Sequence, residues 1–229
     1  MVLCMVFMSV TPEFGQWWIS CGGALLAFAV LMLLGRKTGS HGHRLIVIGI
    51  GVAQLFRSFN ELMLSRGHIQ HATAVYVWSI GSFVGRGYEH VLPVLTGLLV
   101  CVPWALALQR QINLFAFDES LAAGLGVPVK SVKIQAVFAA VLVAGLGLSV
   151  GGPLSFIALA APIMVNRLIR SPKMAVIGSM LAGGLLTLGG DLAGRLLLAP
   201  IELPVGIVCR IFGGLFLLAL LTLPKRKVK

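Results

Sequence analysis

Two pairs of opposite charges stand four residues apart within long apolar stretches of the chain. Arg57 precedes Glu61 in one stretch, and Asp191 precedes Arg195 in another. Residues at positions i and i+4 share one face of an α-helix, so each pair can join on its own helix. A charge inside a membrane is costly unless it is paired or lines a cavity. Each pair therefore indicates either a buried ion pair that holds helices in register or part of a translocation path.

Two more polar residues lie in similar surroundings. Asn60 is next to the first pair, and Arg210 lies in the last apolar stretch without a partner nearby in sequence. Both are further candidates for a polar path, since a polar group in hydrocarbon faces the bundle interior or water.

Enzymatic chemistry is not indicated. The sequence contains no GxxxxGK[ST] loop and no HExxH motif, and no Ser, His and Asp set suggests a triad. The four cysteines are isolated and form no cluster with metal-ligand spacing. We therefore expect no enzymatic activity, metal or cofactor in this chain, so any energy for transport must come from a partner.

The composition is that of a polytopic membrane protein. Hydrophobic residues make up 58% of the 229 residues, charged residues only 11%, and the mean hydropathy is +1.00. The net charge of +11 comes mostly from Lys and Arg clusters that flank apolar runs. Such placement fits the positive-inside rule and argues against nucleic-acid binding.

The apolar runs predict an all-α fold, a transmembrane helical bundle with about seven spanning helices in a single domain over residues 1–229. Charge places the loops 36–44, 110–133 and 170–174 and the C-terminus in the cytoplasm. The predicted spans are 17–35, 44–65, 91–109, 134–150, 154–170, 174–198 and 204–223.

Three shorter pieces fit other roles. Residues 74–86 are apolar but too short to span, which predicts a re-entrant or interfacial helix on the outer side. Residues 1–15 are expected to be an apolar stub, the end of an earlier helix, followed by an outer loop. Residues 111–130 form a partly polar insert with Gly at two positions, and we interpret this coupling segment as a cytoplasmic docking surface.

Several ordered motifs resemble one family. The run from Ile112 to Val127, INLFAFDESLAAGLGV, is similar to the coupling segment of permeases that import iron-siderophore complexes, haem and cobalamin through ABC transporters. Three later runs resemble other motifs of that family: GPLSFIAL at 152–159, DLAGR at 191–195 and ELPVGIV at 202–208. The shorter WSIGS at 78–82 resembles its W-x-x-GS element.

The resemblance implies that the coupling segment inserts into a cleft of a cytoplasmic ATPase subunit, which would bind ATP and Mg²⁺. Glycines would allow a break between two short helices, carboxylates would suit a helix N-terminus, and apolar side chains would bury against the partner. The implied coupling residues are Asn113, Leu114, Asp118, Glu119, Ser120, Leu121, Ala122, Ala123, Gly124, Leu125, Gly126 and Val127.

Further partners follow from the same resemblance. They are a second permease copy or a paralogue, an extracytoplasmic substrate-binding protein, an iron-chelate substrate and the bilayer of the cytoplasmic membrane. Glu202 lies on the outer side of the predicted topology, where it either contacts the binding protein or is solvated.

The sequence also departs from the family. Pro162 to Arg167 reads PIMVNR, which lacks the His of the family's Pro-His-x-x-Arg element. Such permeases usually have about ten spans, and the match begins near the fourth, so the first three or so are expected to be absent. Two alternatives stay open: an ion-coupled secondary transporter, and a truncated membrane protein that does not transport.

Overall fold

The computed structural model describes residues 16–36, 42–66, 79–114, 119–154, 156–169, 175–197 and 202–222. All regular structure in these ranges is helical, as the composition predicts. Among the described residues a 3-10 turn, Tyr88–His90, precedes α3. The eight α-helices in the described ranges are α1 (Gln16–Arg36), α2 (Gly42–Arg66), α3 (Val91–Leu114), α4 (Glu119–Gly124), α5 (Val129–Gly151), α6 (Ile157–Ile169), α7 (Val176–Leu196) and α8 (Val205–Thr222).

Seven of these helices coincide with the predicted spans. Within the described residues, α3, α5 and α7 are long and apolar enough to cross a membrane. Helix α6 has only 13 residues, about 20 Å at 1.5 Å per residue, against roughly 30 Å of hydrocarbon. The all-α membrane fold is confirmed, and the number of about seven spans stays a prediction.

The helix predicted over 74–86 does not extend to its expected end. Residues 67–78, like the stub at 1–15, lie outside the described residues. Ser79 and Ile80 are helical, but 81–87 are not. Gly81 and Gly85 have φ angles of 92° and 74°, and such left-handed conformations interrupt a right-handed helix. The prediction of a helix over residues 81–86 was therefore wrong.

Within the predicted domain the described residues pack as two compact units. The first comprises the residues up to Ser79 together with Arg86–Val150. Its helices meet at aromatic rings: Phe138 of α5 lies 5.1 Å from Phe28 of α1 and 5.7 Å from Trp104 of α3, centroid to centroid, both edge to face. Edge-to-face geometry suits the quadrupoles of aromatic rings and adds to their packing. This cluster joins α1, α3 and α5.

A small buried core extends from those rings towards α4. Leu108 of α3 and Val132 and Ala139 of α5 form its buried part, and Trp104 and Ile112 pack against it. Val132 is only 1% exposed. The end of α3 and the start of α5 are therefore fixed to each other, which positions the segment that joins them.

The second unit comprises Ile80–Gly85 and Gly151–Lys229. Within it α7 packs against both α6 and α8. Small residues allow this close approach: a Cβ on Gly190 of α7 would lie 3.0 Å from the Sγ of Cys209 on α8. The unit is thus assembled from three helices and a short segment taken from much earlier in the chain.

That short segment meets α8 through backbone atoms. The N–H of Gly206 donates a hydrogen bond to the carbonyl oxygen of Gly81, with 3.0 Å between nitrogen and oxygen. A Cβ on Gly206 would run directly into the carbonyl oxygen of Ile80. A Cβ on Gly81 would be 3.1 Å from the carbonyl oxygens of Gly151 and Pro153. We call these contacts around Gly81 and Gly206 the glycine crossing.

Candidate functional site

Helix α4 is the centre of the coupling segment, and its C-terminus has a complete Schellman motif. The N–H of Val127 donates to the carbonyl oxygen of Ala122 at 3.1 Å, and that of Gly126 donates to Ala123 at 3.0 Å. Gly126 has a φ of 81°, the left-handed conformation that this motif requires of the residue after the helix. These bonds satisfy carbonyl groups that a helix end would otherwise leave unpaired.

The two glycines of the segment therefore have different functions. Gly126 ends the helix, whereas Gly124 is its last helical residue and lies in open space, with no atom near an added Cβ. The expectation that both glycines make the break is correct for Gly126 alone. The following helix starts at once, since the N–H of Val132 donates to the carbonyl oxygen of Pro128 at 3.0 Å.

Different sides of the segment around α4 have different environments. Ala122 is fully buried, and Val127 packs against the core formed by Leu108 and Val132. Leu121 and Leu125 are 61% and 72% exposed. Because they stand four residues apart, they lie on one face and form an apolar pair that no described residue covers. We call Leu121 and Leu125 the leucine pair.

This arrangement distinguishes Val127 from the leucine pair. The sequence placed Val127 with the leucines as a residue that buries against a partner. In the structure Val127 is half-buried and packs against the chain's own core, because the Schellman turn folds it back towards Ala122. An apolar contact of this kind commonly accompanies the motif. Val127 thus fixes α4, and the leucine pair stays exposed among the described residues.

The remaining coupling residues are only partly described. Asn113 and Leu114 end α3 and are half-buried, while Ala123 is exposed. Glu119 and Ser120 lie in the first turn of α4 by their backbone, and Asp118 lies outside the described residues. The interaction of the two carboxylates with the helix N-terminus stays a prediction.

The two charge pairs form within their helices as their spacing predicts. On α2 the Nε of Arg57 lies 3.3 Å from Oε1 of Glu61, and the side chains are 73% and 65% exposed. On α7 the Nε of Arg195 lies 2.9 Å from Oδ2 of Asp191, and the side chains are 47% and 24% exposed. The described helices do not bury the first pair, and they cover the second only partly.

The other polar candidates are spread over several elements. Asn60 is half-buried on α2, and Arg210 is exposed on α8. Arg86 lies in the loop before α3, where burial lowers the pKa of its guanidinium below its ordinary value. No group of three or more His, Cys, Asp or Glu in the described part of the chain is placed to hold a metal ion.

Glu202 is exposed directly before α8. Its neighbour Leu203 donates its N–H to the carbonyl oxygen of Gly194 at 3.2 Å. A Cβ on Gly194 would lie 2.8 Å from the carbonyl oxygen of Leu203, so only glycine allows this approach. The turn that carries Glu202 is thereby attached to the end of α7.

Reasoning from sequence missed the structural importance of Gly81 and Gly206. Both lie in the quoted motifs, WSIGS and ELPVGIV, but neither was assigned a contact. A glycine directly after Pro-Val at a helix start, where a side chain would ordinarily be tolerated, is the signal that could have indicated a close backbone approach.

The resemblance to iron-chelate permeases is confirmed by comparison with known proteins. The FecCD transport family matches residues 1–222. The ferric enterobactin transport system permease protein FepG of Escherichia coli (strain K12) is 31% identical over 205 residues, which are 90% of this chain and 62% of that protein. The Fe(3+) dicitrate transport system permease protein FecD of the same strain is 32% identical over 197 residues, 83% of this chain and 61% of that protein.

A solved structure shows the same fold. A metal-chelate type ABC transporter in an inward-facing conformation aligns with a TM-score of 0.79 and 23% identity, covering 97% of this chain and 80% of that chain. The chain spans about 60% of the length of the two curated relatives. It is a multi-pass membrane protein, and it belongs to the FecCD transport family.

Proposed function

We propose that this chain is the membrane-spanning permease subunit of an ABC importer that moves an iron chelate across the cytoplasmic membrane. The observation that carries the proposal is α4, a rigidly held helix that presents the leucine pair between two apolar helices. The names of the relatives, for ferric enterobactin and Fe(3+) dicitrate transport, support an iron chelate as substrate.

The fixed geometry of α4 suits the transmission of force. Ala122 is buried, and Val127 packs against the core that joins α3 and α5, so a displacement of α4 acts on both helices. A partner ATPase that closes on ATP and Mg²⁺ would push the leucine pair and tilt those helices. Rigid-body motion of this type is an established route to alternating access. The chain itself has no part in ATP hydrolysis under this proposal.

The other partners follow the predicted topology. The C-terminus and the coupling segment face the cytoplasm, and Glu202 faces the substrate-binding protein on the outer side. A second permease copy or a paralogue completes the path. The turn that carries Glu202 is held to Gly194, which would keep its carboxylate in a constant position for a basic residue of the binding protein.

The proposal is tested by a pull-down of the tagged chain from cells that express its native partners. Replacing Leu121 and Leu125 by Ser removes the apolar docking face, and we expect the ATPase to be lost from the eluate. Because both side chains are exposed in the isolated chain, the thermal stability of the purified subunit should change little.

Val127→Ala is the matched control. It removes methyl groups from the core instead of the surface, so we expect lower stability by about 1 kcal/mol with the ATPase still retained. Retention of the ATPase by the double Ser variant would contradict the proposal. Absence of any ATPase from the native eluate would contradict it as well.

A further inference from the structure

Polar side chains follow one face in the second half of α2. They recur at spacings of three, four, seven and eleven residues, which keeps them on one side of a helix, and all are exposed. Leu55, Phe59 and Leu62, on another side of the same helix, are exposed and apolar. One side of α2 thus suits lipid and the other does not. The polar face consists of Gln54, Arg57, Ser58, Glu61 and Ser65.

The guanidinium of Arg57 is only partly engaged on this face. Glu61 accepts from Nε alone, at 3.3 Å. Within the described part of the chain, the two terminal amino groups of Arg57 have no partner. The end of the guanidinium that pairs with two oxygens at once is therefore open, and such a planar pair of donors matches anionic oxygen ligands.

The surroundings of this face limit what can cover it. Lipid is excluded by the cost of placing an arginine and a carboxylate in hydrocarbon. A second copy is a poor match, because the chain has 18 basic residues against 7 carboxylates and so offers few anions to a matching surface on its partner. A water-filled path keeps both charges out of hydrocarbon. A ligand in that path with anionic oxygens provides acceptors for Arg57.

We propose that Arg57, oriented by Glu61, contacts the anionic oxygens of the iron chelate and makes the permease favour chelates of net negative charge. This inference rests on the proposed function. Ferric iron is a hard cation, and hard cations are bound by oxygen donors, many of them anionic. Arg57 is a specificity residue in this scheme, and Glu61 is a positioning residue.

The test measures uptake of radioactive iron by cells that express the native transporter with its partners. Two probes are compared: an anionic ferric tris-catecholate and an uncharged ferric tris-hydroxamate. For Arg57→Gln we expect the half-saturation concentration of the anionic chelate to rise about tenfold, and that of the neutral chelate to change less than twofold. Arg57→Lys keeps the charge but not the paired donors. Its half-saturation concentration for the anionic chelate should therefore lie between those of the native protein and Arg57→Gln.

Two further variants keep the test decisive. Arg57→Gln with Glu61→Gln removes both charges, so no unpaired carboxylate remains to hinder folding, and it should show the same loss of preference. Arg110→Gln is the control: it removes an exposed arginine near the end of α3, on the predicted cytoplasmic side. It should change neither the amount of protein in the membrane, measured by immunoblot, nor the preference between the two chelates.

The outcomes separate the two proposals. Equal effects of Arg57→Gln on both chelates, with normal amounts of protein, would overturn the assignment of Arg57 and leave the permease function intact. If the native transporter takes up neither of these chelates nor ferric dicitrate in an ATP-dependent manner, the proposed function fails and the assignment of Arg57 fails with it.

Discussion

Backbone atoms occupy the space that a side chain at Gly206 would need. We expect Gly206→Ala to destabilise the protein by about 1–3 kcal/mol, because the new methyl group meets the rigid carbonyl of Ile80 and the chain must shift. The same shift weakens the hydrogen bond to Gly81. The measurement is thermal unfolding of the purified protein in detergent.

Gly214 provides the control on the same helix. An added Cβ there meets nothing within 4 Å, so Gly214→Ala should leave the melting temperature unchanged or raise it slightly, since alanine favours the helix. Equal melting temperatures for the two variants would show that the glycine crossing is not a tight contact.

Burial of single residues was only partly predictable from the sequence. Three apolar residues lie within seven positions: Leu121, Leu125 and Val127. Composition alone therefore does not indicate which of them is packed against the core and which are exposed. The difference in burial comes from the turn at Gly126, which places Val127 against the core. Charge spacing was more informative, because the i, i+4 geometry of Arg57 with Glu61 depends only on the local helix.

At the scale of elements, the connection after α4 depends on one backbone conformation. Gly126→Ala places a Cβ at a φ of 81°, which costs roughly 1–2 kcal/mol. We expect α4 to loosen and the leucine pair to lose its fixed position. Limited proteolysis at residues 119–128 should become faster. Under the proposed function, ATP hydrolysis coupled to transport by the reconstituted complex should fall.

Gly124→Ala separates this effect from a general intolerance of side chains in the segment. Gly124 is helical and open to solvent, so alanine should stabilise α4 by up to about 1 kcal/mol. Coupled ATP hydrolysis should then remain at the native level. A similar loss of coupling in both variants would show that contact with the partner at these positions, and not the Schellman turn, is decisive.

Helix positions were largely predictable because hydropathy reports them directly. The predicted spans 17–35 and 204–223 differ from Gln16–Arg36 and Val205–Thr222 by one residue at each end. The prediction failed at residues 81–86, where apolar composition suggested a helix but two glycines adopt positive φ. Apolar character is a property of composition, whereas the end of a helix depends on individual backbone angles.

At the scale of the whole molecule, the short helix α6 decides the topology. If α5, α6 and α7 each cross the membrane, Lys130 and Glu202 lie on opposite sides. If α6 does not cross, they lie on the same side. We expect opposite sides, because the basic residue Arg167 at the end of α6 favours the cytoplasm.

The measurement is cysteine labelling in intact cells. Lys130→Cys and Glu202→Cys are made in a background whose four native cysteines are replaced by alanine. In intact cells, a maleimide that does not permeate the inner membrane should label the cysteine at 202 but not the cysteine at 130. The cysteine at 130 should be labelled once the membrane is permeabilised. The same labelling at both positions would show that α6 does not cross the membrane and that Glu202 lies on the same side as Lys130.

The glycine crossing also has a consequence for the order of synthesis. Ile80–Gly85 leaves the ribosome long before Val205 and Gly206, yet its carbonyl at Gly81 has its donor on α8. Until the last helix is inserted, that carbonyl must be satisfied by water or by another donor, since a backbone group that is buried without a partner is costly. Completion of the second unit is therefore a late event in biogenesis, and nascent chains that stop before α8 should be recognised by membrane proteases as unfinished.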